Sequence, residues 1–122
     1  MNNYIEVTIG GKARGLKFNN LSVEVYAKKI NFESVGATAI YATFYAGLCG
    51  NCYVKRVEED FTFEEVCDWV DELHSKDAAM IKKVCDLFEQ TQVYKEWLKN
   101  FQDKIRAILD PTDKKKVRAK RR

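Results

Sequence analysis

The sequence predicts a mostly helical α+β fold, in which an N-terminal β-hairpin packs on a bundle of four or five helices. Apolar and polar residues alternate near the amino terminus, which is the period of a β-strand. Farther along, apolar residues recur at every third or fourth position, as they do in amphipathic helices. The chain has 122 residues, a single Pro and 46% apolar residues. This is enough for one hydrophobic core, and residues 1–110 are expected to form a single helical domain with an N-terminal hairpin.

The hairpin is predicted over residues 4–18. Three apolar residues share one face of its first strand: Ile5, Val7 and Ile9. Gly10 and Gly11 can adopt the positive φ angles that a tight turn needs. The second strand turns Leu16 and Phe18 toward the core, and its basic residues are expected on the other face: Arg14 and Lys17. Two strands alone are marginal in water, so the apolar face must rest on helices.

The first two helices differ in polarity. Asn19 or Asn20 can cap a helix that starts near Leu21, and residues 31–36 are expected to form a loop. Residues 35–54 then contain no charged side chain, and a stretch of that length would allow a membrane span. Threonines and glycines dilute its apolar character, however, and no flanking basic cluster supports insertion. We therefore interpret it as a helix of a protein without a membrane span.

This uncharged helix is predicted over about residues 38–48, with Gly47 and Gly50 favouring its termination. It is apolar over most of its circumference, so we expect burial on several sides, by its own fold or by a partner. Five of its residues are candidates for self-association or for contact with a partner: Ile40, Tyr41, Phe44, Tyr45 and Leu48.

The clearest local signal is the start of the next helix. Thr62 suits the N-cap position, and Glu65 can complete a capping box three residues later. Phe61 and Val66 occupy the two positions of a hydrophobic staple. The spacing of the apolar residues that follow extends this helix to about Leu73.

Two further amphipathic helices are predicted after a break near residues 74–76. The first carries five apolar residues at helical spacing: Met80, Ile81, Val84, Leu87 and Phe88. The second carries an apolar residue at every fourth position: Val93, Trp97, Phe101, Ile105 and Leu109. Asp110 and Pro111 should stop it. Across the chain, twelve residues are expected to be mostly buried: Ile5, Leu16, Phe18, Leu21, Phe44, Leu48, Trp69, Val70, Ile81, Val84, Leu87 and Trp97.

The four cysteines raise the question of thiol or metal chemistry. Cys49 and Cys52 form a CxxC pair, which opens a helix in thiol redox enzymes. Here the pair falls where the predicted helix ends, where the dipole would raise the thiol pKa. A zinc site would need ligands from Cys67, His74 or Cys85, and no second close-spaced pair is present. Reduced, partly buried cysteines are the favoured interpretation, and redox or zinc chemistry is the alternative.

Other polar residues do not assemble a catalytic motif. His74 falls at a helix end, where a favourable dipole contact explains it. Carboxylates between residues 58 and 72 fall mostly on the polar face of an amphipathic helix, which predicts a solvated surface. No glycine loop of the phosphate-binding type is present. We therefore expect a protein without catalytic activity and without a cofactor or a metal ion.

Charge is unevenly distributed along the chain. Residues 111–122 carry seven basic side chains and one acid, whereas the first 110 residues carry 14 basic and 17 acidic side chains. Residues 111–122 are expected to form a disordered tail, whose basic residues are Lys114, Lys115, Lys116, Arg118, Lys120, Arg121 and Arg122. The tail has no aromatic residue on which a base could stack. It could bind nucleic acid without specificity, solubilise the chain or dock on an acidic partner.

The order of these elements resembles the tail assembly chaperones of long-tailed bacteriophages and prophages. The resemblance lies in a Gly-Gly-Lys turn, a strand ending in Leu16-Lys17-Phe18, an uncharged helix and an acidic helix that starts at residues 61–66. It covers roughly residues 4–73. The resemblance implies a non-catalytic protein that self-associates and coats the helical tape-measure protein during tail assembly. It also implies contact with other tail proteins and a location in the cytoplasm of the bacterial host. The alternative function is a small nucleic-acid-binding or regulatory module that uses the basic tail.

Overall fold

The computed structural model describes residues 3–30 and 37–109. The predicted stop at Asp110 and Pro111, the basic tail and the predicted loop at residues 31–36 lie outside these ranges. Within the described ranges, two strands and five helices follow one another: β1 (Tyr4–Ile9), β2 (Lys12–Lys17), α1 (Asn20–Lys29), α2 (Ala37–Lys55), α3 (Phe63–Lys76), α4 (Ala78–Gln90) and α5 (Gln92–Leu109). The predicted class, a mostly helical α+β fold with an N-terminal hairpin, is confirmed.

The predicted β-hairpin and its tight turn at Gly10 and Gly11 are confirmed. Ile9 pairs with Lys12 across the turn, and Gly10 and Gly11 have φ angles of 61° and 81°. Both angles are in the left-handed region that a two-residue hairpin turn requires. The turn also lies against α3, because the indole ring of Trp69 leaves no room for a Cβ atom at Gly10.

The sequence analysis had expected Arg14 to face away from the core, but the structure places it on the core side of β2. Residues two apart on a strand share a face, so Arg14 lies on the same side as Leu16. Its side chain is only 10% exposed, and its guanidinium carbon lies 4.4 Å from the centroid of the Trp69 ring. The aromatic ring and an ion pair with Asp60 at 2.9 Å stabilise the charge at this half-buried position.

The prediction that Gly47 and Gly50 end the central helix is wrong, because α2 continues through both to Lys55. These glycines mark a close approach of α2 to the hairpin. A Cβ atom at Gly47 would lie 2.8 Å from the Cβ atom of Leu16, and one at Gly50 would collide with the carbonyl oxygen of Lys17. The missing side chains therefore let the backbone of α2 pack directly against β2.

Arg56 supplies the actual end of α2. It has a φ angle of 58°, and its N–H group donates a hydrogen bond to the carbonyl oxygen of Tyr53 at 3.2 Å. The N–H group of Val57 donates to the carbonyl oxygen of Cys52 at 3.1 Å. These two hydrogen bonds form a Schellman motif, in which a glycine usually occupies the position of Arg56.

Hydrogen bonds fix the starts of three helices. The capping box at α3 is confirmed: the Thr62 hydroxyl accepts from the Glu65 N–H group at 3.1 Å, and the Glu65 carboxylate accepts from the Thr62 N–H group at 2.9 Å. Asn19 caps α1 in the same way together with Ser22, a pairing that the sequence analysis had missed. The predicted break after α3 falls at Asp77, since its side chain caps α4.

The core lies where the hairpin, α1 and α2 meet α3 and α4. Seven of the twelve residues expected there are buried: Leu16, Phe18, Phe44, Leu48, Val70, Ile81 and Val84. The other five are half-buried: Ile5, Leu21, Trp69, Leu87 and Trp97. Among the described helices, none is long and apolar enough to cross a membrane.

Candidate interaction surfaces

The five residues proposed for partner contact on α2 divide into two groups. Phe44 and Leu48 are 0% and 2% exposed, so they are core residues and cannot belong to a surface of this fold. Ile40, Tyr41 and Tyr45 are half-buried. They form a narrow edge of α2 beside α3, which is smaller than the apolar surface that the sequence analysis had expected.

Contacts within the fold occupy much of this edge. The Tyr41 hydroxyl donates a hydrogen bond to the Asp71 carboxylate at 2.6 Å, and this interaction raises the Tyr41 pKa. The Tyr45 ring meets the Phe61 and Phe63 rings edge to face, with centroids 5.9 Å and 5.3 Å apart. Both tyrosines therefore join α2 to the start and the middle of α3.

A shallow apolar depression remains beside Tyr41. Its volume is about 200 Å³, and its lining comprises Ile40, Tyr41, Val70, Asp71 and His74. His74 lies in the last turn of α3 and is exposed, which is the position that the sequence analysis had assigned to it. The depression is open to solvent and bordered by the carboxylate of Asp71.

The exposed side of α3 adjoins this depression and is strongly acidic. We name it the acidic face, and its five exposed carboxylates are Glu64, Glu65, Asp68, Asp71 and Glu72. They recur at three- and four-residue intervals and so lie close together along the helix. Like charges at this spacing repel one another, so a cationic partner would stabilise the acidic face.

The first half of α5 is held by aromatic contacts. The Trp97 ring centroid lies 5.3 Å from that of Tyr26 in α1, and the Tyr94 ring centroid lies 4.7 Å from that of Phe88 in α4. Phe101 stacks on Trp97 at 4.9 Å. The helix is thus fixed to α1 and α4 by its first three turns.

The second half of α5 carries a different surface, which we name the α5 tip (residues 99–109). Ile105 is half-buried, whereas Ile108 and Leu109 are 60% and 76% exposed. Three basic side chains and one acid flank them: Lys99, Lys104, Arg106 and Asp103. Periodicity had correctly predicted an apolar stripe, but it could not show that the core of the fold leaves the end of this stripe uncovered.

The cysteine pair lies inside α2 rather than beyond its end. Cys49 is buried, and burial raises its thiol pKa to about 12, with a smaller contribution from the Glu59 carboxylate. Burial likewise raises the pKa of Cys52. The main cause is desolvation, whereas the sequence analysis had invoked the helix dipole. A protonated thiol is a poor nucleophile and a poor metal ligand.

The arrangement of the side chains bears on metal coordination as well. Over residues 3–30 and 37–109, no three His, Cys, Asp or Glu side chains come together in a way that could hold a metal ion. Cys67 and Cys85 are half-buried on different helices, and burial raises the pKa of each. The surfaces described above, rather than a cluster of reactive groups, are therefore the candidate functional features.

Comparison of the chain with models of protein families, with curated proteins and with solved structures gives no match. The α5 tip, the acidic face and the edge of α2 are the described features that bear on function. The predicted basic tail lies outside the described residues, and its charge follows from the sequence.

Proposed function

We propose that the protein is a non-catalytic tail assembly chaperone of a long-tailed bacteriophage or prophage. In this role it self-associates and coats the helical tape-measure protein in the host cytoplasm during tail assembly. The observation that carries the proposal is the exposed apolar end of α5, where Ile108 and Leu109 follow the half-buried Ile105 by three and four residues and so offer a helical client an apolar stripe. A helix that presents apolar residues at this spacing can pack side by side with another amphipathic helix.

The order and chemistry of the elements support the family. A Gly-Gly-Lys turn leads into β2, and α1 follows after Phe18. The uncharged α2 comes next, and the acidic α3 starts at the capping box of Thr62 and Glu65. These are the features on which the resemblance to tail assembly chaperones rests.

The chemistry of the polar residues favours binding over catalysis. Each of the four thiols has a raised pKa, which makes thiolate chemistry unfavourable at neutral pH. The single histidine is exposed at the end of α3, away from the buried environments in which catalytic groups are usually tuned. A surface of apolar and charged side chains is what a chaperone needs in order to bind its client protein.

Coexpression with the tape-measure protein of the same genome tests the proposal. We expect the two chains to copurify, and we expect the I108D/L109D variant to lose the tape-measure protein because a carboxylate cannot be buried against an apolar helix. The V54D/V57D variant is the matched control, since Val54 and Val57 are also exposed, at 52% and 57%. Equal retention of the tape-measure protein by both variants, or no copurification with the wild type, would contradict the proposal.

The basic tail motivates the alternative, a nucleic-acid-binding or regulatory module. Seven basic side chains in residues 111–122 can bind phosphates without sequence specificity. Deleting residues 111–122 and measuring RNA and DNA affinity at several salt concentrations separates the two functions. The chaperone proposal predicts weak, salt-sensitive binding of RNA and DNA that is lost when residues 111–122 are deleted. Copurification with the tape-measure protein should be retained in the same deletion variant.

A further inference from the structure

Two surfaces of this protein are complementary in charge. The acidic face of α3 presents five exposed carboxylates. The α5 tip presents Lys99, Lys104 and Arg106 against the single acid Asp103, and the chain continues with the seven basic residues of the tail. Opposite charges on two faces of one molecule orient the approach of a second copy and disfavour other arrangements.

The same two surfaces are complementary in their apolar parts. Ile108 and Leu109 are the most exposed apolar side chains of α5. The depression beside the acidic face has room for a branched aliphatic side chain, and Ile40, Tyr41 and Val70 give it an apolar lining. Its border includes Asp71, which belongs to the acidic face. An aliphatic anchor flanked by basic residues thus matches an apolar depression flanked by carboxylates.

We infer that the α5 tip of one copy docks on the acidic face of a second copy, so that the chain associates head to tail. The inference deepens the proposed self-association by naming the two surfaces, and it rests on that part of the proposed function. In a dimer formed by this contact, one α5 tip remains unused at one end and one acidic face remains unused at the other. Further copies can therefore add to either end.

A symmetric pairing of two α5 tips is less favourable. Each tip carries three basic side chains and one acid, so the pairing would bring like charges together. It would also leave the repulsion among the carboxylates of the acidic face compensated, within the described residues, only by Lys76, which lies 3.6 Å from Glu72. The head-to-tail contact relieves both repulsions at once.

Two charge-reversal variants test the inference. The acidic-face variant is D68K/E72K, and the tip variant is K104E/R106E. For each variant, the dissociation constant for self-association should rise about tenfold or more, because each lacks one of the two complementary surfaces. An equimolar mixture should regain association, because the intact α5 tip of one variant can dock on the intact acidic face of the other. Sedimentation velocity on the full-length chain measures the size of the assemblies in the two variants and in their mixture.

The control variant E6K/E24K changes the net charge as much as the acidic-face variant does. Glu6 and Glu24 are exposed on β1 and α1, so this variant should self-associate like the wild type. Circular dichroism shows whether each variant keeps its helices. A variant that has lost them is replaced by D68N/E72Q or K104Q/R106Q, for which the same pattern is expected in weaker form.

Three results would overturn the inference. A monomeric wild type would exclude the contact and would point to docking of the tail within its own chain. An acidic-face variant that associates like the wild type would point to pairing of two α5 tips. A mixture that stays monomeric would exclude complementarity. The mixing experiment contains no tape-measure protein, so its failure is distinguishable from a failure to bind that client. Loss of the client by I108D/L109D does not by itself test the contact between copies, because Ile108 and Leu109 are proposed for both.

Discussion

Arg14 is the residue that joins the hairpin to the segment before α3. Its Nε atom donates a hydrogen bond to the Ile9 carbonyl oxygen at 3.2 Å, and its Nη1 atom donates to the Asp60 carboxylate at 2.9 Å. Lys12 donates to the other carboxylate oxygen of Asp60, also at 2.9 Å. These two hydrogen bonds lower the Asp60 pKa from 3.8 to about 2. The ionised carboxylate is therefore stabilised by folding.

This pKa shift predicts a pH-dependent contribution to stability. A carboxyl group whose pKa is lower in the folded state stabilises the fold above its unfolded pKa, and the contribution is lost as the pH falls through the folded pKa. The wild type should therefore be more stable than Asp60→Asn at neutral pH, and the difference should shrink between about pH 4 and pH 2. Urea unfolding at several pH values measures it, with Glu58→Gln as the control for charge removal in this loop. A difference that does not depend on pH would contradict the assignment.

Cys49 gives a second prediction at the residue scale. Because its thiol is buried and its pKa is about 12, it should not react with a disulfide reagent at pH 8 until the protein unfolds. Cys49→Ser should therefore keep the native thiol reactivity of the wild type and lose one reactive thiol after unfolding. If the folded Cys49→Ser variant instead lacked a fast-reacting thiol that the folded wild type has, Cys49 would be accessible. The redox interpretation of the CxxC pair would then be supported again.

At the scale of elements, the glycines of α2 determine how closely helix and hairpin approach. In an exposed helix, Gly→Ala is stabilising by about 1 kcal/mol. At Gly50 we expect the opposite, because the added Cβ atom would collide with backbone of β2 and with Ser22. Gly50→Ala should destabilise the fold by about 1–3 kcal/mol. Gln102→Ala, at an exposed position of α5, is the control, and stabilisation by Gly50→Ala would contradict the packing.

Arg56 gives the converse prediction. It holds a left-handed conformation that costs a non-glycine residue about 1–2 kcal/mol. Glycine removes this strain but loses more conformational entropy on folding. Arg56→Gly should therefore raise the free energy of unfolding by about 0.5–1 kcal/mol, as measured by urea or thermal unfolding. A lower stability would mean that the arginine side chain makes a contact that outweighs the strain.

The elements that could be predicted from the sequence are those with local signals. The hairpin turn and the capping box at Thr62 depend on residues close together in the chain, so spacing alone located them. The end of α2 was misplaced, because a glycine that terminates a helix and one that admits a neighbouring strand look alike in sequence. The role of Arg14 was missed for a related reason: its partners Asp60 and Trp69 are distant along the chain.

The interaction surfaces were predictable only in part. The apolar stripe of α5 and the acidic residues of α3 are visible in sequence as periodic patterns. Tertiary packing decides which part of an apolar stripe the core covers, and periodicity does not show it. For this reason Phe44 and Leu48 were proposed for partner contact although they are buried in the core. Ile108 and Leu109 remain exposed because α5 extends beyond the aromatic contacts that hold Trp97.

The whole molecule combines an acidic folded part with a basic end. The first 110 residues have a net charge of −3, and residues 111–122 have a net charge of +6. Such an asymmetry can align copies of one chain along an extended client, because each copy offers its neighbour the opposite charge. In the proposed assembly, the exposed apolar end of α5 would supply the non-polar part of such contacts.

The number of copies bound to each tape-measure chain tests the central claim most directly. Mass photometry of purified complexes, made with a full-length tape-measure protein and with one shortened to roughly half its helical length, measures this number. A coating protein that binds along a helix should bind in many copies, and the number should fall in proportion to the length of the client. No complex, or a single copy bound at either length, would contradict the account.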